Sequence, residues 1–570
     1  MILRFRSKDG MFRISVTDSD LFLSALEQVL TKVSVADPTQ LHVSDSQGQK
    51  GTLAAEFAGK TVADLNLKNG DILYLTYELN NSEVAASEPR MAQSVNGNVS
   101  VDIGSDVALI VPSKPSQIVQ LSVDDELDKQ DGLIPRPKSH FCRHGDKGMC
   151  EYCSPLPPWD KEYLKENGIK HKSFHAHLKE LNENKNNKNK ASSYIAPLEQ
   201  PNYSINLNCG GGHAPFPKGI CSKCQPAPIT LSQQDFRMVD HVEFADHLLL
   251  NNFIETWRQS GVQRYGVLYG RYEAFDKVPL GIKAVVEAIY EPPQAGELDG
   301  ITLLNWENEQ EVNEVANALG LSAVGVVFTD LTDSGARDGS VLCKRHKDSY
   351  FLSCLEVLMA ARNQNAHPNV SKYADSSKYS SKFVTCVVTG NLKGEIEPRA
   401  YQVSASAEAL VTADDIGAST HPNLLYINET SGKRYVPDIF YSKINEYGLE
   451  VKTNAKPAFP VDYLLVTLLD SFPLDPTPEF TLQFPIENRD FLGDLQDLKA
   501  VSRQLQLGAS DGSQLCDFHF LIYLHRMGVL SKDEYGLIAR YVKDRKYEDY
   551  LHLVESSGWM TLLTILEQSL

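Results

Sequence analysis

Cys142-Arg143-His144-Gly145-Asp146-Lys147-Gly148-Met149-Cys150-Glu151-Tyr152-Cys153 and, further on, Cys209-Gly210-Gly211-Gly212-His213 closed by Cys221-Ser222-Lys223-Cys224 decide how this chain is read. The spacings are Cys-x-His-x5-Cys-x2-Cys and Cys-x3-His-x7-Cys-x2-Cys. Each set offers three thiols and one imidazole. A Cys-x2-Cys knuckle brings two thiolates to one ion at about 2.3 Å, and tetrahedral zinc takes four such soft donors. Gly145, Gly148, Gly210 to Gly212 and Gly219 beside the ligands suit a backbone folding tightly around an ion. A redox Cys-x2-Cys pair normally occurs once, in a βαβ setting. Here the knuckle occurs twice, each time with a Cys and a His upstream, so two zinc ions are expected on Cys142, His144, Cys150 and Cys153 and on Cys209, His213, Cys221 and Cys224. Three thiols and an imidazole leave no open position for water, which makes both ions structural. His140, His171, His175 and His177 compete for the imidazole places.

Outward from these clusters, composition limits the classes of function. The 570 residues suffice for three or four domains, and 42% apolar content supports real cores. A formal charge of −19 argues against a nucleic-acid binder, which needs a basic surface. The stretch Arg136 to Lys190 is a basic island within this acidic chain, read as a solvated face or, more sharply, a dock for an acidic surface. The remaining cysteines, Cys343, Cys354, Cys386 and Cys516, lie in apolar segments and read as buried free thiols of a reducing compartment. The strand-like start Met1-Ile-Leu-Arg-Phe-Arg shows no signal peptide, and no apolar run reaches the roughly 18 residues of a membrane span. A cytosolic or nuclear protein without an integral membrane segment is expected.

In chain order, residues 1–78 read as β-β-α-β-β. Ile2 to Arg6 and Phe12 to Val16 alternate around Lys8-Asp9-Gly10 as a hairpin, and Leu21, Ala25, Leu26, Val29 and Leu30 share a helix face. Asn69-Gly70-Asp71 then turns into the strand Ile72 to Tyr77. Residues 79–117 lose their aromatics and read as a flexible linker with a span of about 35 Å. Asn182 to Lys190 reads as a mobile polar loop. From Ile229, helices (Phe244 to Arg258, Glu309 to Leu319, Ser349 to Arg362) alternate with strands (Arg264 to Tyr269, Lys283 to Tyr290, Ala323 to Phe328, Lys382 to Val388). Val461 to Leu469 reads as one final strand, and helices follow from Pro476: Phe518 to Leu524, Glu534 to Val542 and Trp559 to Leu566.

The first segment resembles the ubiquitin-like β-grasp in its UBX-like form. Residues 229–475, carrying Gly266-Val-Leu-Tyr-Gly-Arg-Tyr, Glu287-Ala-Ile-Tyr-Glu-Pro-Pro and Gly325-Val-Val-Phe-Thr-Asp-Leu, resemble the MPN domain. Active members of that fold hold a hydrolytic zinc by His-x-His and Asp, with an upstream Glu as general base. Here the two histidine positions fall on Phe328 and Asp330, the Asp on Glu356 and the Glu on Arg271. Without the imidazoles, and with an arginine in place of a base, no hydrolysis is expected. His346 and His367 lack partners at ligand spacing.

The whole assembly is similar to the nuclear protein localisation protein four family, fungal type. Strings that carry the likeness include Asp131-Gly-Leu-Ile-Pro, Gly148-Met-Cys-Glu-Tyr-Cys-Ser-Pro-Leu-Pro-Pro-Trp-Asp160, Gly219-Ile-Cys-Ser-Lys-Cys-Gln-Pro, Phe236-Arg-Met-Val-Asp-His-Val-Glu-Phe and Ser381-Lys-Phe-Val-Thr. No Cys-x2-Cys follows Cys224 in this sequence, so the C-terminal ubiquitin-binding finger of animal members is not expected here.

The resemblance implies a multidomain α+β chain. Its parts are a UBX-like domain at 1–78, a linker at 79–117, a zinc-binding region with two Cys3His sites at 118–228, an inactive MPN domain at 229–475 and a helical domain at 476–570. It implies a non-enzymatic cofactor of the hexameric valosin-containing AAA ATPase, acting with the ubiquitin-fusion-degradation partner protein. Such a cofactor brings polyubiquitin-tagged proteins to unfolding and proteasomal degradation, including degradation from the endoplasmic reticulum. It also implies cytoplasmic and nuclear residence, with peripheral attachment at the endoplasmic reticulum and nuclear envelope. The chain itself carries no Gly-x4-Gly-Lys-Ser/Thr nucleotide signature. Two rivals stand beside this reading: a metalloprotease-type deubiquitinase, separated by metal stoichiometry, and a zinc-finger nucleic-acid binder, separated by salt-dependent retention on DNA or RNA.

Overall fold

A computed structural model describes residues 118–145, 148–187, 194–444, 447–507 and 512–569, together with 2–7, 10–16, 42–44, 52–53, 72–76 and single positions within the first 76 residues. The described residues fall into two compact units, 1–112 and 113–570.

The first unit holds a five-stranded sheet, ordered β2-β1-β5-β3-β4, from β1 (Ile2–Ser7), β2 (Gly10–Ser15), β3 (His42–Ser44), β4 (Thr52–Leu53) and β5 (Ile72–Thr76). The expected hairpin is present, with Ser7 opposite Gly10, and β5 lies parallel to β1 with Arg4 opposite Ile72. Alternation along β1 buries Leu3 and Phe5. Phe22 and Leu26 are helical, buried and four residues apart, so they share one face, and Phe22 lies 6.2 Å from Phe5. The rest of the helix expected there, the Asn69-Gly70-Asp71 turn and the linker 79–117 lie outside the described residues.

The second unit is built on an eight-stranded mixed sheet. Its strands are β6 (His241–Phe244), β7 (Tyr265–Phe275), β8 (Gly281–Tyr290), β9 (Ser322–Asp330), β10 (Val384–Gly390), β11 (Ile396–Val403), β12 (Leu465–Thr467) and β13 (Leu469–Ser471), in the order β12-β11-β10-β9-β7-β8-β6-β13. The run read as one strand from Val461 opens as a 3-10 turn over Val461–Tyr463 and then forms two strands. Leu465–Thr467 pairs with β11, Leu468 N–H donates to Ala400 O, and Leu469–Ser471 then pairs with β6. One short segment thus joins the two edges of the sheet, pairing with Tyr401 to Val403 on one and with His241 to Glu243 on the other.

Period-two alternation sends side chains to two cores. Tyr265, Val267, Tyr269, Val326, Phe328, Val387 and Tyr401 enter one; Leu268, Val324, Val327, Val384, Cys386, Val388 and Ala400 enter the other. The second core is covered by α1 (Ser122–Lys129) through Val123 and Leu127, and by α2 (His247–Ser260) through Leu249, Leu250, Phe253 and Ile254. Asp246 caps α2 by accepting from Leu248 N–H, and Gly261 ends it at φ 74°. The first core takes α3 (Glu309–Ala318), α4 (Cys354–Ala366) and α5 (Ala405–Thr412). It continues into the C-terminal helices α6 (Leu498–Leu507), α7 (Phe518–Met527), α8 (Lys532–Asp544), α9 (Tyr547–Val554) and α10 (Ser557–Ser569), with the Tyr269 ring 5.4 Å from Phe518.

Part of the expected polar loop is ordered. A helix over Phe174–Asn182 runs on as a π-turn over Glu183–Asn187, and Asn186 exchanges hydrogen bonds with the Ile195 backbone at 3.0 Å each way. Among the described residues no helix is long and apolar enough to cross a membrane.

Candidate metal centres

The first cluster stands on a base made by the Ile134–Leu156 bridge and by Arg136, whose Nε donates to Ser154 O at 2.6 Å and whose Nη2 donates to Glu151 O. From that base two loops bring Cys142, His144, Cys150 and Cys153 together, their donor atoms all within 4.8 Å of one another. Cys150 Sγ lies 3.7 Å from Cys142 Sγ and 3.8 Å from Cys153 Sγ. Around tetrahedral zinc, sulfurs at about 2.3 Å from the ion stand about 3.8 Å apart. His144 Nδ1 donates to Gly145 O at 2.9 Å, which puts its proton there and leaves the Nε2 lone pair facing Cys153 Sγ at 3.1 Å.

The second cluster repeats the device. Cys209, His213, Cys221 and Cys224 also converge within 4.8 Å, with Cys209 Sγ 3.5 Å from Cys221 Sγ and His213 Nε2 3.6 Å from Cys224 Sγ. His213 Nδ1 donates to Ala214 O at 2.7 Å, so again Nε2 faces the sulfurs. A Cβ at Gly219 would stand 2.6 Å from Ala214 O and 2.9 Å from His213 Nδ1; only glycine lets the chain pass the ring this closely.

Local fields already favour thiolate in each set. Burial raises the Cys142 thiol, but the backbone N–H and hydroxyl of Ser139 outweigh it and bring the pKa to about 6. For Cys221 the Lys223 backbone N–H, then Cys209, bring it to about 6. Cys150 is raised, chiefly by burial, and Cys209 is raised, chiefly by Cys221; within each quartet one sulfur is prepared to lose its proton first. All ten cysteines are free, so no disulfide competes. Donor chemistry, spacing and tautomers fit zinc in both places.

The competing imidazoles are engaged elsewhere. The His140 ring lies 3.9 Å from Phe141 at a 40° tilt, His177 stacks on Phe236 at 4.0 Å, and His171 is buried outside both quartets. His175 is buried between Asp124 at 2.9 Å and Asp128 at 3.3 Å. Of the four other cysteines, Cys354, Cys386 and Cys516 are buried as expected; Cys343 is half-buried, in an irregular loop rather than a core element.

The positions set against a hydrolytic zinc motif behave differently. Phe328, Asp330 and Glu356 do converge, but on the guanidinium of Arg345. Arg345 Nε donates to Asp330 Oδ2 at 2.9 Å, Nη2 to the same oxygen at 2.8 Å and to Glu356 Oε1 at 2.7 Å. Nη1 donates to Glu356 Oε2 and Phe351 O, both at 2.8 Å, and the guanidinium carbon lies 5.8 Å from the Phe328 ring centroid. The whole donor fork is used. Lys344 adds a second cation, 2.8 Å from Asp330 Oδ1. Burial alone would raise the Asp330 carboxyl, but Arg345 and Lys344 outweigh it and hold it below the usual range.

Arg271 is not in this group. Phe328 pairs with Tyr265, six residues from Arg271 along β7, about 20 Å at the rise of a strand. Arg271 instead pairs with Glu273, Glu287 and Glu479, tying the sheet to the chain beyond it. The β7-side neighbour of Asp330 is Gln263, whose amide is spent on Thr329 Oγ1, Leu331 N–H, Leu331 O and Leu298 O. Sequence reading missed Arg345, because Cys343-Lys-Arg-His-Lys347 reads as a basic surface loop.

Fold and clusters together define a mixed α/β multidomain protein with a metal-binding region. Residues 264–567 match the model of the NPL4 family, 118–261 that of "NPL4 family, putative zinc binding region", and 1–76 that of "Nuclear pore localisation protein NPL4". The chain belongs to the NPL4 family. It is 62% identical to nuclear protein localization protein 4 of Debaryomyces hansenii, over 98% of this chain and 100% of that one. With the Saccharomyces cerevisiae protein of the same name the identity is 52%, over 100% of both chains.

Proposed function

We propose that this chain is a non-enzymatic adaptor that recruits polyubiquitin-tagged proteins to the hexameric valosin-containing AAA ATPase, together with the ubiquitin-fusion-degradation partner protein. The clients are unfolded and passed to the proteasome, including those drawn from the endoplasmic reticulum. Residues 1–78 act as a UBX-like dock for the ATPase. The two zinc-pinned loops, with Cys142, His144, Cys150 and Cys153 on one ion and Cys209, His213, Cys221 and Cys224 on another, form rigid contacts on the ring. Exposed Phe141, Met149 and Tyr152 around the first cluster give that loop an apolar contact face. The MPN-like sheet and the helices after residue 476 hold the ubiquitin chain. The protein works in the cytoplasm and nucleus, peripherally at the endoplasmic reticulum and nuclear envelope.

The observation that carries the non-enzymatic reading is Arg345. Zinc-dependent hydrolysis needs free ligands around an open metal position. A permanent cation occupies the convergence point of Phe328, Asp330 and Glu356, with Lys344 beside it. The test is gel filtration of the zinc-loaded chain with the ATPase and with ubiquitin chains. Co-elution with each, with the chains left intact, is expected. Deleting residues 1–78 lowers ATPase binding at least tenfold and leaves ubiquitin-chain binding within about twofold, because the linker makes a second contact intramolecular. Equal loss of both, or shortening of the ubiquitin chains, overturns the reading.

A further inference from the structure

On the sheet face that carries α3 and α4, a cavity of about 210 Å³ opens between Tyr265, Tyr269, Trp306 and Phe383. Pro293, Leu303, Val267 and Val326 complete an apolar wall, and Glu309 is the one acidic residue lining it. The aromatic rings are held in place. Trp306 stacks on Tyr290 at 5.2 Å and 15°, His367 stacks on Phe383 at 4.2 Å and 14°, and the Tyr269 hydroxyl donates to Asn313 Oδ1 at 2.9 Å. Trp306 Nε1 and Asn363 Nδ2 are out of water, the indole nitrogen interacting with the Tyr290 hydroxyl and the amide with the Tyr265 hydroxyl.

Acidic side chains predominate around the cavity, which also has His367 in its wall. No Lys, Arg or His occurs from Ala284 to Ala336. Exposed Glu309 lines the cavity, and exposed Glu307 and Glu311 line the adjoining cleft. The adjoining cleft, which shares Pro293, continues with Asp490, and Arg526 is its single basic residue. A site of this volume is too small for a drug-sized ligand, which needs about 300 Å³ or more, but it holds one long side chain. Apolar walls suit a methylene stem; ring faces and a carboxylate suit a cationic head.

We propose that the Tyr265–Tyr269–Trp306–Phe383 cavity is a receptor for one lysine or arginine side chain of an extended segment of a partner protein, with Glu309 as counter-charge. The acidic rim attracts further basic residues on either side of the anchor. This inference rests on the cavity and is independent of the adaptor reading.

The test uses the full zinc-loaded chain labelled with 5-fluorotryptophan, whose four tryptophans give separate fluorine resonances, with Trp306 assigned through Trp306→Phe. The probes are three blocked pentapeptides, Gly-Ala-X-Ala-Gly with X as lysine, arginine or norleucine. A saturable shift confined to Trp306 is expected, with the better cationic peptide binding about three- to tenfold more tightly than norleucine. Glu309→Gln, an exposed substitution on the first turn of α3, removes that preference and leaves the four-line spectrum intact. Equal binding of norleucine, a preference untouched by Glu309→Gln, or no shift of the Trp306 line at millimolar peptide would each overturn the proposal.

Discussion

Replacing Arg345 with methionine removes the cation that Asp330 and Glu356 share and leaves Lys344, on Asp330 alone, as the remaining counter-charge. The Arg345 side chain is 3% exposed, against 17% for Asp330 and 20% for Glu356. Breaking a fully buried pair costs about 3–5 kcal/mol; the acids keep some access to water, so about 3 kcal/mol is expected. For a unit of this size that corresponds to a fall in melting temperature of about 3 °C. Most of the loss is the unpaired charge rather than the vanished attraction. Adding Asp330→Asn and Glu356→Gln to Arg345→Met should therefore recover about half of it or more. Arg345→Lys falls between, since an ammonium keeps the charge but cannot reproduce a five-donor fork. Differential scanning calorimetry on the four proteins measures this directly. An Arg345→Met protein melting with the parent, or a triple variant less stable than the single one, would refute the reasoning.

Other outcomes follow from the same contacts. Phe328→His with Asp330→His should create no isopeptidase, because Arg345 and Lys344 still repel an incoming zinc; cleavage of a ubiquitin chain by that variant would show that the ligand positions are wrongly set. Cys221→Ser should release one zinc and raise proteolysis between residues 200 and 229, and an unchanged digestion pattern would deny the second cluster a structural role. Asp128 is pushed up by burial, but hydrogen bonds from His175, Lys372 and Gln120 bring it to about 2. A folded pKa below the unfolded value of about 3.9 contributes stability that is complete above pH 4 and lost as pH falls toward 2. Asp128→Asn should accordingly flatten the decline of stability between pH 4 and pH 2, read by acid titration of the far-ultraviolet signal; a parallel decline would contradict it.

The metal quartets were legible because ligand spacing is a local code. Cys-x2-Cys knuckles with a nearby Cys and His constrain one another over about fifteen residues, and the structure brings together the eight residues that spacing selects. The imidazole choice needed three dimensions. His175 sits at a plausible distance in sequence but is held by Asp124 and Asp128 on α1, more than forty residues away. Strand register was the second gap. Arg271 lies in β7, two residues beyond the strand expected there, and only the pairing of Tyr265 with Phe328 reveals that it points into a different neighbourhood. The sheet closure at Leu468 was hidden for a similar reason. Val461 to Leu469 is mostly apolar, broken by Asp462 and Thr467, and nothing in that pattern marks where the backbone leaves one edge strand for the other. Arg345 could have been found only from its partners, since a buried arginine and a solvated one look alike in sequence.

The account rests on two closed metal sites and a third position shut by arginine, and counting zinc tests both parts at once. Elemental analysis of the chain purified without added metal or chelator should give two zinc ions per chain, falling to one in Cys142→Ser and to one in Cys221→Ser. The ratio should remain at two in Phe328→His with Asp330→His. A ratio near three in the parent chain, or two ions surviving either cysteine substitution, would contradict it.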